Sequence, residues 1–410
     1  MNTLVKNRQY YKFCLYGFLK NLRFFDAFFI LFLLEKGLSY TEIGILYAIR
    51  EIITNLSEIP SGILADTYGR KTALISSFLL YIISFILFYF AVGFWLFLIA
   101  FVFYGIGDAF RSGTHKGMIM YYLKLNGWQT QKINYYGHTR ACSQKGSAIA
   151  SLIAGSIVFY YGSYQNIFLF SIIPYLLNLL LIVSYPIELN QTAFFTSNKK
   201  SFKNTLQNLL FVIKQPQVFR LVNSSAIYSG YQKAVKDYIQ PLLLQVVVLI
   251  PILENDRIDN KSGLLIGVFY FIIYLLNSRA SQLSGKISKN TGRTITQYTL
   301  LIGFGLGVIS GLFYIEKLWV FSLLVFVGVY LIENIRKPIL TGYLADTIPN
   351  EILTSVLSAQ SQWRTIITAI LALLMGAVAD YFGIGIAFIS ISGTLLVTTM
   401  LFGNNSKYKV

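Results

Sequence analysis

Charge is what this sequence has least of. Only 12% of its 410 residues are Asp, Glu, Lys or Arg, against about 25% in soluble domains. So few charges cannot wet a large soluble surface, and a water-soluble globule is excluded. Two cysteines, Cys14 and Cys142, lie in apolar stretches and offer neither a disulfide framework nor a thiolate zinc site. Two histidines, His115 and His138, are too few for a metal cluster, so no metal and no cofactor are expected. A Walker-type phosphate loop is absent, which argues against direct use of ATP. A nucleophile elbow and a His-rich acceptor motif are absent too, so the chain is not expected to be an enzyme. The first apolar run is too long for a cleavable signal and reads as the first membrane span.

What is abundant is apolar length. The chain is 55% hydrophobic with a mean hydropathy of +0.60. Apolar runs of membrane-spanning length predict about twelve transmembrane helices, near residues 11–35, 39–63, 72–92, 94–115, 138–160, 165–186, 218–248, 263–285, 295–314, 318–340, 352–378 and 384–403. The longest polar connection lies between the sixth and seventh spans and holds an amphipathic piece around Phe202–Lys214. It divides the chain into an N-terminal six-helix bundle (1–187), a cytoplasmic linker (188–217) and a C-terminal six-helix bundle (218–410). Basic residues such as Arg70, Lys71, Lys116, Lys124, Lys199, Lys200, Lys286 and Arg293 gather on alternate loops. The longest loop of the other set carries Glu254, Asp256, Arg257, Asp259 and Lys261 instead. The positive-inside rule then places both termini in the cytoplasm of a multi-pass protein, most simply of a bacterial inner membrane.

The two halves repeat. Gly62, Asp66, Gly69, Arg70 and Lys71 follow the second span, and Gly285, Lys289, Gly292 and Arg293 follow the eighth with the same spacing. Asp108 precedes Arg111 by three in the fourth span, as Glu333 precedes Arg336 in the tenth. Gly155 and Gly162 close the fifth span as Gly376 and Gly383 close the eleventh. Internally repeated halves typify secondary transporters, with the substrate site between them.

The stretch Gly62-Ile-Leu-Ala-Asp66-Thr-Tyr-Gly69-Arg70-Lys71, preceded by Glu58-Ile-Pro60-Ser, resembles the signature loop of the major facilitator superfamily. The resemblance implies an all-α membrane fold of two pseudo-symmetric six-helix bundles working by alternating access. It also implies that this loop, with its second copy, gates one side of the cycle. Gly69 suits a positive φ, and Asp66 and Arg70 suit charge-assisted contacts with a neighbouring helix end. Two departures stand out. Lys289 replaces the acid of the first copy, and the fifth span carries Ser143, Ser147, Ser151 and Gly155 in place of the Gly-Pro signature of drug–proton antiporters. Those four form a small-residue packing face.

Ionisable groups at membrane depth cost roughly 2.5–3.5 kcal/mol each when they face lipid, so they face protein or water. In the implied family, helices one, four, seven and ten line the cavity. The substrate-cavity candidates are Arg23, Arg50, Arg111, Lys233, Lys236, Gln240 and Arg336. The proton-coupling or ion-pair candidates are Asp26, Glu51, Glu58, Asp108, Asp237 and Glu333. Basic residues outnumber acids 34 to 17, and a low-dielectric cavity with surplus Arg and Lys attracts anions. The expected substrate is a small organic or phosphorylated anion, with protons as candidate co-substrates. The opposing reading pairs each cation with an acid or lets it snorkel to the interface; His115 reads that way, at a helix end. A drug exporter, an anionic-lipid flippase and a non-transporting receptor share the fold and stay open. Nucleic acid is not an expected partner, and the chain is expected as a monomer in the bilayer.

Overall fold

The computed structural model describes residues 5–112, 114–128, 132–190, 215–249, 258–291, 295–348 and 350–403, and all regular structure among them is helical. The expected amphipathic piece at Phe202–Lys214, the acidic loop around Glu254 and Asp256, and the motif residues Gly292 and Arg293 lie outside the described residues.

The first expected span is not one helix. It is α1 (Arg8–Lys20), a single 3-10 turn (Phe24–Ala27) and α2 (Phe29–Glu35). Asn21 caps α1 at its C-terminus, and Arg23 and Asp26 fall in the break. Next come α3 (Tyr40–Tyr68), α4 (Arg70–Phe90), α5 (Phe94–Arg111) and α6 (Thr114–Leu125). The fourth expected span therefore stops at Arg111 and resumes as a separate helix holding His115 and Lys116. Then follow α7 (Lys132–Tyr161), α8 (Asn166–Val183) and a 3-10 turn at Ile187–Asn190. The seventh span is broken as well, into α9 (Pro216–Val235), a 3-10 turn (Lys236–Tyr238) and α10 (Ile239–Val248). The chain ends with α11 (Ile258–Thr291), α12 (Ile295–Ile315), α13 (Trp319–Thr347), α14 (Asn350–Phe382) and α15 (Ile384–Gly403).

Among the described residues, eight helical stretches are long and apolar enough to cross a membrane, one of them running through α5 and α6. The spans outside that set are the two broken ones, the charged α3 and the polar α7, all rich in groups that lipid would not tolerate. Exposed Tyr11, Trp95 and Tyr160 sit at helix ends, as interfacial aromatics do.

By packing, the chain forms two compact units. Unit 1 comprises residues 1–38, 49–195 and 251–274, and unit 2 comprises 39–48, 196–250 and 275–410. The core of unit 1 is aromatic: Phe25 stacks on Phe168 at 5.5 Å, and Phe29, Phe88 and Phe101 close around them. Buried serines tie α4 to α5, Ser77 donating to Gly107 O at 2.7 Å and Ser84 to Ala100 O at 2.9 Å. Unit 2 uses the same device between α12 and α13, where Ser322 donates to Ser310 O at 2.8 Å.

The small-residue face of α7 is used for close approach. A Cβ on Gly155 would lie 2.9 Å from Gly263 O, and one on Gly267 would lie 2.6 Å from Ser151 O. Its repeat mate does likewise in unit 2, where a Cβ on Gly376 would lie 2.3 Å from Tyr40 O. Only glycine allows backbones this close.

Candidate functional site

The signature loop is built around α4. Gly69 adopts φ +96° and precedes the first residue of that helix. A Cβ there would fall 2.4 Å from both Asn190 O and Asn190 Oδ1, so conformation and contact both require glycine. Asn190 Oδ1 accepts from the Lys71 backbone N–H at 3.0 Å and from that of Thr72 at 3.3 Å, serving the free amides of α4 from a distant part of the chain. Lys71 Nζ returns the favour at the end of α8, donating to Val183 O at 2.6 Å and Tyr185 O at 3.0 Å. The Arg70 guanidinium lies on α6 over Gly117, where a Cβ would be 2.9 Å from Nη1. The helix-end contact expected of Arg70 is thus made by Lys71. A Cβ on Gly62 of α3 would meet nothing within 4 Å among the described residues, so no close helix approach is built on it there. The Asp66 side chain is outside the description, and Gly285 lies on α11.

Inside unit 1, the expected i,i+3 pair is formed. Arg111 Nη2 donates to Asp108 Oδ1 at 2.8 Å. Tyr81 of α4 completes it: its hydroxyl donates to the same carboxylate oxygen and accepts from Arg111 Nε at 2.8 Å. Spacing along one helix could not reveal Tyr81, which lies 30 residues away from Arg111. Arg23, in the break of the first span, is within electrostatic reach of Tyr104, Tyr175, Asp26 and Asp108, while its Nε is buried without a hydrogen-bond partner. Arg50 pairs with its neighbour Glu51 at 3.0 Å, Glu51 being 2% exposed, and lies 6.0 Å from the Tyr104 ring. Glu58 accepts from the Ser112 hydroxyl at 3.0 Å.

Beside this network, α1, α6, α7 and the end of α5 enclose a cavity of about 370 Å³. Its walls carry Lys20, Arg111, His115, Lys116 and Arg140, with Tyr16, Asn21, Thr139, Ser143 and Gln144, and no carboxylate among the described residues. His115 is not the snorkelling interfacial group that its helix-end position suggests. Its ring stacks on Tyr16 at 3.6 Å and 10°, and its Nε2 lies 3.2 Å from the Tyr185 hydroxyl. Lys20 and Arg140 are also wall residues of this cavity.

Unit 2 treats its charges differently. Arg336 is 1% exposed. Its Nη1 donates to Thr296 O and Thr299 Oγ1, both at 2.5 Å, and its Nη2 to Ser224 Oγ at 2.9 Å and Ser224 O at 3.2 Å. The guanidinium also lies 5.1 Å from the Tyr228 ring. It clamps α9, α12 and α13 together and does not pair with Glu333, which instead accepts the Ser229 hydroxyl at 2.7 Å. Lys236 and Asp237, in the second break, pair at 3.4 Å. Gln240 is fully buried on α10, and Lys233 is in the last turn of α9. Tyr228 and Tyr231 pack on Phe304, with hydroxyls on Val329 O (3.1 Å) and Ser392 (2.7 Å).

Broken membrane helices carrying charge at their breaks, and a basic cavity beside the first of them, define a polytopic membrane transporter. The chain belongs to the Major Facilitator Superfamily, whose family model matches residues 15–370. An uncharacterized MFS-type transporter of Bacillus subtilis (strain 168), YxaM, is 22% identical over 389 residues, spanning 92% of this chain and 90% of that one. A variant of the nucleoside transporter NupG has a TM-score of 0.74 at 13% identity, over 97% of this chain and 100% of that one. A POT family transporter in complex with 5-aminolevulinic acid has a TM-score of 0.71 at 13% identity, covering 96% and 95%. At these identities the solved structures share the fold alone.

Proposed function

We propose that this transporter moves a small organic or phosphorylated anion by alternating access, and that the cavity of unit 1 receives the anion's charge. One observation carries the reading: the cavity wall holds four cationic side chains and His115 with no carboxylate among them. Arg111 is neutralised by Asp108. Lys20 and Arg140 make no side-chain hydrogen bond or ion pair among the described residues, so they are the groups left to bind an anion. A wall of this sign in low dielectric concentrates anions. It disfavours the cationic-drug exporter, which would need carboxylates there.

Glu333 is our candidate for proton coupling. It is 9% exposed and held by a neutral hydroxyl, whereas Glu51, Asp108 and Asp237 each have a cation within 3.4 Å. Lys337, Arg336 and Arg364 act on it electrostatically, and a buried membrane carboxylate is the kind of group that exchanges a proton. We place the two six-helix halves at 1–187 and 218–410, with both termini in the cytoplasm of an inner membrane and the chain working as a monomer. The sorting of basic residues between alternate loops supports this orientation.

The test is a thermal-shift panel on the purified protein, with dicarboxylates, phosphorylated metabolites, cationic amphiphiles and neutral drugs. A ligand bound only to the native state at one hundred times its Kd adds about 2.7 kcal/mol. Anions are expected to raise the melting temperature of the parent protein, and Lys20→Gln and Arg140→Gln to abolish that rise. A response confined to cationic or neutral amphiphiles would replace this reading with drug efflux.

A further inference from the structure

A second cavity, of about 510 Å³, belongs to unit 2, where α9 begins, α12 begins and α15 ends. Its polar wall includes Arg220, Asn223, Ser224 and Gln297, its apolar wall includes Phe219 and Leu300, and no acid lines it among the described residues. The Arg220 side chain makes no hydrogen bond or ion pair among the described residues. Asn223 uses its oxygen to accept from Trp363 Nε1 at 3.0 Å, which leaves its amide hydrogens to donate. Ser224 accepts from Arg336 Nη2 at 2.9 Å, which leaves its own proton to donate. The wall is therefore one unpaired guanidinium surrounded by donors. Behind it lies the Arg336 charge, partly offset by Glu333.

The surroundings of this cavity are those of a bilayer. Phe219 is 52% exposed, Tyr298 62%, Ile302 52% and Leu401 66%. In a membrane protein such helix surfaces face lipid, and the indole of Trp363 suits the headgroup level. The volume falls in the range of small-molecule sites, about 300–1,000 Å³. A cationic, donor-rich pocket rimmed by lipid-facing aromatic and aliphatic groups matches a molecule with a phosphate at one end and acyl chains at the other.

We infer that this cavity binds an anionic phospholipid, its headgroup phosphate on Arg220 and the Asn223, Ser224 and Gln297 donors, its chains along Phe219 and Leu300. This site is separate from the anion cavity of unit 1 and does not depend on what the transporter carries.

The experiment is native mass spectrometry of the full chain in detergent, titrated with phosphatidylglycerol or phosphatidylcholine. One phosphatidylglycerol is expected to stay bound per chain, about tenfold more tightly than phosphatidylcholine, as for a charge-assisted contact. Arg220→Gln is expected to weaken that adduct about tenfold, with the melting temperature of the lipid-free protein unchanged. Gln297→Leu is the second variant, and it should weaken the same adduct if Arg220→Gln fails to fold. Free glycerol phosphate at millimolar concentration should not displace the lipid. The proposal is overturned if the two lipids bind alike, if both variants retain the adduct, or if free glycerol phosphate displaces it, which would mark a soluble-anion site.

Discussion

Asp108 tests whether the charges of unit 1 are structural or mobile. Its Oδ1 is the common acceptor of Arg111 Nη2 and the Tyr81 hydroxyl. The side chains of Arg111 and Asp108 are 24% and 22% exposed, so the pair is only partly screened. At 2.8 Å and an effective dielectric near 20, the Coulomb attraction is about 6 kcal/mol before desolvation. Removing one partner of a buried pair costs about 3–5 kcal/mol, because the other charge is left uncompensated. Asp108→Asn should cost near the low end of that range, about 3 kcal/mol, since water reaches part of the site. The bare Arg111 would then add to the positive field of Lys20, Arg23 and Arg140. For a cooperative unit of about 200 residues this corresponds to a fall in melting temperature of roughly 6–12 °C. Scans at one fixed rate in one detergent make the comparison valid where unfolding is irreversible. The stronger result is a cycle with Arg111→Met. Each single change should destabilise, and the double variant should recover at least about 1 kcal/mol of the sum, because it leaves no orphan charge. If Asp108→Asn melts like the parent, or the two changes add without coupling, the pair does not stabilise unit 1, and Asp108 returns to the candidates for proton transfer.

The remaining predictions concern other parts of the molecule. Gly69→Ala should cost about 2 kcal/mol or more, from a left-handed backbone and a clash with Asn190; a melting temperature within a degree of the parent would refute it. Glu333→Gln should abolish uptake driven by a pH gradient while leaving ligand-induced thermal shifts intact; loss of both, or of neither, would remove it as the coupling group. Cys14 of α1 and Cys142 of α7 are both free thiols and interact electrostatically, so mild diamide treatment should lower the titratable thiols from two to none without forming dimers. Two remaining thiols, or a dimer on a non-reducing gel, would show that they do not meet.

The helical class, the repeat and the family were legible because they reside in composition and in local spacing. So was the Asp108–Arg111 pair, which lies within one turn of one helix. What escaped was every partner distant in the chain: Tyr81 for Arg111, Asn190 and Gly117 for the signature loop, and Ser224 and Thr299 for Arg336. The pattern Glu333-x-x-Arg336 looks the same in sequence as Asp108-x-x-Arg111, yet only one is an ion pair. Hydroxyls and carbonyls of α9 and α12 outcompete Glu333 for the guanidinium. Helical periodicity reports which side chains share a face, not what the neighbouring helix presents to that face. The breaks in the first and seventh spans were hidden for a related reason. Hydropathy measures the length of an apolar run and is blind to the dihedrals within it.

Those two breaks have matching chemistry. Lys20 and Arg23 flank the first with three-residue spacing, and Lys233 and Lys236 flank the second with the same spacing, roughly 210 residues later. Asp26 and Asp237 follow them within the 3-10 turns. Interrupting a membrane helix exposes backbone groups that lipid cannot satisfy, so a break survives only where protein or water meets it. Two such 3-10 segments at corresponding places, each bearing cations and one acid, are not expected from packing alone; a 3-10 stretch inside a helix often marks a functional hinge. In unit 1 the Lys20 end of the break opens on the basic cavity. The excess of basic residues therefore has two origins. One part, represented by Arg336, is tied into helix contacts and would be neutral to any ligand. The other, represented by Lys20 and Arg140, lines the cavity wall and makes no side-chain ion pair among the described residues. Only this second part can select an anion, because a charge already satisfied by its neighbours has no differential interaction left to offer a substrate.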